Sequence, residues 1–158
     1  MKGNERILAT LNGLLADELT AISQYMVHSE MLANWGYDRL HEAKEHQALD
    51  EMHHAEWLIA RILFLEGVPV VSKLHPMKIG AAVKEMLTND QAAEVDAVRA
   101  YNEGITLAHE VKDQGTVDLL IKILGDEEKH EDWAEAQLDQ IGRMGLENYL
   151  TNQTKGAA

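Results

Sequence analysis

The chain has 158 residues, 46% hydrophobic and 26% charged, which is enough to bury one core and too apolar for wholesale disorder. Fourteen basic against 27 acidic residues leave a net charge of −13, so nucleic acid and anionic membranes are poor partners and cations natural ones. The absence of Cys excludes disulfides, thiolate metal sites and Cys nucleophiles, and the balance of Ala, Leu and Glu over β-branched residues, with only two Pro, favours an all-helical protein.

From Asn4 to Asn34 apolar residues recur at helical spacing (Leu8, Leu11, Leu15, Leu19, Ile22, Met26), and Gly36 breaks the pattern. A second helix is predicted over 38–66 with Asp38 as its N-cap. The segment Gly67–Gly80 holds both prolines and reads as a connection. A third helix is predicted over 81–112, a turn at Gln114–Gly115, a fourth helix over 116–141 and a short fifth over 146–152. The tail from Gln153 to Ala158 reads as loose. The opening MKGNERILATLNGLL has neither an apolar h-region nor a small-residue cleavage site, and no stretch approaches the ~18–20 apolar residues of a membrane span, so a cytoplasmic protein is expected.

A helix of this length spans ~40 Å at 1.5 Å per residue. The Gly67–Gly80 connection, if extended, reaches ~46 Å. It can cross the whole bundle, which predicts an up-down-down-up order; a floppy loop joining antiparallel neighbours is the alternative.

The two halves align at an offset of 76 residues: Leu11 falls on Leu87, Glu18 on Glu94 and Tyr25 on Tyr101. Asp50, Glu51, His54 and Trp57 fall on Asp126, Glu127, His130 and Trp133, a shared Asp-Glu-x-x-His-x-x-Trp string. Glu18 and Glu94 each lie in the apolar seam of their helix, and Glu and His three residues apart share a face. Antiparallel hairpins bring Glu18 level with Glu51 and Glu94 level with Glu127. Four carboxylates and two imidazoles therefore meet in the core. Buried and ionised, such a cluster repels itself, whereas two divalent cations supply +4 against −4. Oxygen-rich ligation with two imidazoles suits iron or manganese, and zinc can also occupy it.

One Glu from each of two helices plus Glu-x-x-His from the other two resembles the ferritin-like di-iron proteins. The segments MKGNERILATLN, DEMHHAEWLIARILFLEG, LGDEEKHEDWAEAQLDQI and MGLENYL resemble the bacterioferritins more narrowly, across essentially the whole chain. The resemblance implies a ferritin-like four-helix bundle with a short C-terminal helix, one domain over 1–158, and ferroxidase activity with storage of ferric mineral in a hollow shell of 24 chains built from two-fold dimers. It makes Glu18 and Glu94 terminal ligands, Glu51 and Glu127 bridging ligands, and His54 and His130 the nitrogen ligands of a dinuclear iron centre. It implies haem b shared by two subunits through Met52, whose helical phase points away from the ligand face. His46 and Asp50 correspond to an inner-surface iron site, or else to a solvated helix face. Tyr25 and Trp133 are candidate electron donors, with Tyr25 and Tyr101 alternatively hydrogen-bonding ligand carboxylates. A small ferredoxin-like redox protein is the expected partner for iron release. A peroxide-scavenging di-iron protein and a haem-carrying structural cage subunit are the alternatives.

Overall fold

The computed structural model describes residues 1–155. Five helices follow in order: α1 (Glu5–Asn34), α2 (Asp38–Phe64), α3 (Val83–Glu110), α4 (Gln114–Met144) and α5 (Leu146–Thr151). Among the described residues there is no strand, and no helix is long and apolar enough to cross a membrane. The fold is the expected all-α bundle, four long helices with a short fifth.

α1 starts where the Asn4 side chain accepts the N–H groups of Arg6 and Ile7 at 2.9 and 3.4 Å, satisfying two of the free donors of the first turn. It ends at Asn34, and two residues on Gly36 turns the chain with a φ of +82° that a side chain disfavours. Asp38 is the first residue of α2; the N-cap position is Tyr37, with no side-chain cap bond. α3 begins at Val83, two residues later than predicted, and α4 runs on to Met144.

The second hairpin corrects the expected turn. Gln114 and Gly115 lie inside α4, and the reversal is Val111–Asp113, with Lys112 at φ +60°. Asp113 sets this start: one carboxylate oxygen accepts the Thr116 N–H at 3.1 Å and the other its hydroxyl at 2.6 Å. Arg61 of α2 donates to the same Asp113 at 2.7 Å and to the Thr116 hydroxyl at 3.0 Å, tying the end of one hairpin to the turn of the other.

The connection after α2 lies along α1. Asn12 exchanges hydrogen bonds with the Val68 carbonyl and the Val70 N–H; Thr20 accepts the His75 N–H, Gln24 the Lys78 N–H and His28 the Gly80 N–H. The partners advance from residue 12 to residue 28 of α1, so the segment travels the length of the bundle. α3 therefore begins at the end opposite to where α2 stops, and the order is up-down-down-up.

Two apolar clusters close the ends of the bundle. Ile7, Leu11, Leu15, Leu58, Ile62, Val117 and Leu120 fill one, and Leu32, Leu40, Val83, Met86, Leu87, Ile141 and Tyr149 the other. Each fully buried Leu or Ile contributes about 2 kcal/mol. The predicted loose tail is anchored at its start, since the Gln153 carbonyl accepts the Arg39 N–H at 3.0 Å and Lys155 pairs with Glu42; residues 156–158 lie outside the described residues.

Partial burial pushes the Asp113 carboxyl up, but the Thr116 hydrogen bonds and the Arg61 guanidinium outweigh it and hold it below its ordinary range. Its stabilisation is thus present above the unfolded-state value and lost as pH falls through the folded-state value. Asp113→Ala should destabilise by roughly 1–2 kcal/mol at neutral pH. Thermal unfolding should show a lower midpoint, and the gap to the parent chain should close on acidification below about pH 4.

Candidate metal centre

Glu18 follows Leu11 and Leu15 on the buried stripe of α1, and Glu94 follows Leu87 and Asp90 on that of α3. On α2, Gln47, Glu51, His54 and Leu58 are buried together; on α4, Leu120, Glu127, His130 and Ala134 are. All six predicted ligands are 6% exposed or less and meet between the two apolar clusters.

Their ligand atoms form two groups, each within 4.8 Å: Glu18, Glu51, His54 and Glu127, and Glu51, Glu94, Glu127 and His130. Glu51 and Glu127 belong to both. Glu51 faces His54 Nδ1 with Oε2 at 3.1 Å and His130 Nδ1 with Oε1 at 3.0 Å. Glu127 Oε1 lies 3.1 Å from His54 Nδ1 and 3.7 Å from His130 Nδ1. Glu18 meets only His54, at 3.6 Å, and Glu94 only His130, at 3.6 Å. Two metal ions held by these groups would share Glu51 and Glu127 and take one further carboxylate each.

Neighbouring side chains orient the ligands. Tyr101 of α3 donates its hydroxyl to Glu18 Oε1, and Tyr25 of α1 donates to Glu94 Oε1 at 2.5 Å. Each phenol pins one oxygen of a terminal carboxylate on the opposite hairpin. Glu18 Oε2, Glu94 Oε2 and Glu127 Oε1 are buried without a hydrogen bond. Buried carboxylate oxygens that make no hydrogen bond fit metal coordination, because leaving them unpaired costs free energy. Both imidazoles turn Nδ1 inward, while Nε2 meets Asp126 at 3.0 Å for His54 and Asp50 at 2.9 Å for His130. A carboxylate on the outer nitrogen fixes the ring of a ligating histidine.

The electrostatics reflect crowded like charge. Burial and the nearby Glu51 carboxylate push the Glu18 carboxyl well above its ordinary value; burial and Glu18 raise Glu127 to about 8. Burial pulls both imidazoles down, but the surrounding carboxylates outweigh it, raising His130 to about 11 and His54 further. Burial and the Glu94 charge likewise push the Tyr25 phenol well up, so it stays a donor.

The other predicted residues divide. Tyr25 and Tyr101 take the hydrogen-bonding role. The Trp133 ring stands 5.1 Å from the Lys44 ammonium, beside the second apolar cluster. Met52 is 41% exposed, on the outward side of α2 with His53 and Glu56. His46 is 77% exposed and 3.4 Å from Asp50. Asp50 itself is engaged by His130, and the matching role of Asp126 was missed, although the shared Asp-Glu-x-x-His string carries the signal for both. Lys44 and Asp90, fully buried, were also missed, since neither has a charged counterpart in the repeat.

Residues 8–144 match the family model of the ferritin-like domain. The chain is 42% identical to a bacterial ferritin of Synechocystis over 97% of its own length and 99% of that protein. It is 40% identical to a bacterioferritin of Brucella melitensis (94% and 92% covered) and 40% identical to one of Mycolicibacterium paratuberculosis (94% and 94%). Identity at this level over nearly the full length of both chains shows that the chain belongs to the bacterioferritins of the ferritin-like family.

Proposed function

We propose that this chain is an iron-storage ferroxidase whose working centre is Glu18, Glu51, His54, Glu94, Glu127 and His130. The carrying observation is the pair of overlapping ligand groups with three buried carboxylate oxygens that make no hydrogen bond. Fe(II) is substrate. Four carboxylates balance two divalent ions, and a close pair lets two electrons leave together to O2 or peroxide. The phenols of Tyr25 and Tyr101 hold one oxygen of each terminal carboxylate and leave the other free to bind iron. Asp50 and Asp126 keep His130 and His54 aimed inward. Ferric product then passes to a mineral inside a homo-oligomeric shell.

We further assign finer roles. The shell contains 24 chains built from two-fold dimers, in the cytoplasm, and a ferredoxin-like protein reduces the mineral for release. Met52, with its two-fold mate, would hold haem b: a soft thioether exposed on a polar helix face suits a sulfur ligand at a subunit contact. Haem bound there supplies an electron path across the shell. Tyr25 and Trp133 are assigned as electron donors, and His46 with Asp50 as a further iron position.

Glu18→Ala and His130→Ala should each abolish rapid Fe(II) oxidation while the shell still assembles, because the apolar clusters lie elsewhere. Stopped-flow absorbance and native mass check this, and unchanged initial rates in both would exclude the centre.

Protons on the raised Glu18, Glu127, His54 and His130 must leave when metal binds. Divalent-ion affinity should therefore strengthen as pH rises from about 6 to about 8, the range over which the Glu127 carboxyl near 8 deprotonates. Calorimetry of Co(II) binding in two buffers of different protonation heat should report net proton release.

Met52→Leu should leave assembly and near-normal iron oxidation but remove the Soret band and slow reductive iron release. Retention of full haem would place the ligand elsewhere.

A further inference from the structure

The internal repeat is broken on one side of the metal centre. Beside Tyr25, the Lys44 ammonium is fully buried, 2.9 Å from Asp90 and donating to Gln47 at 2.8 Å. It stands 4.7 Å from the Tyr25 ring centroid. Asp90 also receives Gln24 at 2.8 Å and His28 Nδ1 at 2.9 Å. His28 Nε2 accepts the Gly80 N–H, so Nδ1 carries the proton and donates.

The 76-residue offset places the counterparts of these groups beside Tyr101. Lys44 falls on Leu120, Asp90 on Leu14, Gln47 on Ile123, Gln24 on Ala100 and His28 on Gly104. Leu14, Leu120, Ile123 and Tyr101 belong to one apolar cluster, and Gly104 lies so close that an added Cβ would come within 3.1 Å of Leu120 and 3.6 Å of Leu14. The halves of the centre share ligands and phenols but not surroundings. Tyr101, which holds Glu18, sits in hydrocarbon. Tyr25, which holds Glu94, sits under an ammonium whose countercharge, Asp90, is bonded on its far side by Gln24 and His28 of α1, which in turn accept N–H groups of the crossover.

We propose that Lys44 is a positioning residue that makes the two metal positions inequivalent, weakening divalent-cation binding at the Glu94–His130 position relative to the Glu18–His54 position. An ammonium on one side repels a dication and draws on the Glu94 carboxylate through the phenol, while uncharged, weakly polarisable surroundings on the other leave the attraction between carboxylates and metal unscreened. The incomplete cancellation by Asp90 leaves a difference of about tenfold in affinity. This inference rests on the dinuclear reading above.

Single-position variants of the full chain test it, with Co(II) alone as the probe, read by its visible absorption and by calorimetry. Glu94→Ala leaves the Glu18–His54 position, and Glu18→Ala leaves the Glu94–His130 position. The expected result is about tenfold weaker Co(II) binding in Glu18→Ala than in Glu94→Ala. Adding Lys44→Leu with Asp90→Asn, which keeps an oxygen acceptor for Gln24 and His28, should close the gap in the Glu18→Ala background and leave the Glu94→Ala background unchanged. Equal affinities in the two single variants, or an equal change in both backgrounds, would overturn the proposal. If the quadruple comparison fails through misfolding, the two single variants alone still decide it. A parent chain that binds no Co(II) pair would instead remove the dinuclear reading itself.

Discussion

Four carboxylates buried at one level of a helical bundle repel one another and forgo their water, and the rest of the molecule is arranged around that cost. No single partner meets it. Two imidazoles stand among the carboxylates, two phenols hold the terminal pair, and two aspartates at the rim hold the imidazoles. What remains unsatisfied is three inward oxygens. The apolar clusters at either end of the bundle supply the burial energy that holds so polar a layer between them.

The topology follows from the same requirement. Two copies of one hairpin place their Glu-x-x-His helices face to face when they are related by a two-fold axis. A short loop from α2 to α3 would start α3 at the wrong end. The crossover solves this by laying its backbone along α1 and satisfying its amide groups on Asn12, Thr20, Gln24 and His28, polar residues spaced at helical intervals up one flank. Those four side chains explain why a polar stripe runs beside the apolar seam of α1.

Much of this is visible in the sequence, and unevenly. The six ligands are legible because repetition at a fixed offset multiplies weak signals: a lone Glu18 is unremarkable, but Glu18 with Glu94 in one register, each followed by Tyr seven residues on, is not. The crossover is legible from length alone. The second turn is misplaced because Gly115 looks like a breaker, whereas the cap of Asp113 and its tie to Arg61 decide where α4 begins. The pair Lys44–Asp90 is invisible, since a charged residue on a helix is normally solvated and only the packing of α1, α2 and α3 brings ammonium and carboxylate together. The roles of Asp50 and Asp126 hide for a different reason: they lie beside the ligand face in sequence, and their service to the histidine of the other hairpin is a tertiary fact.

The exchange of phenols between hairpins carries a kinetic meaning. Tyr25 belongs to the first hairpin yet serves Glu94 of the second, and Tyr101 returns the service to Glu18. Neither hairpin can preorganise its own terminal carboxylate. Each helical pair can form from local contacts, but the centre comes into being only when the two dock, and those docking contacts are far less local in sequence than the contacts within a hairpin. A cation that takes ligands from both hairpins therefore gives little help to early folding and acts chiefly as a brake on separation of the hairpins. The same division leaves each metal position one carboxylate short in a half-made chain, Glu127 at one and Glu51 at the other, so completion of the centre and completion of the bundle are a single event.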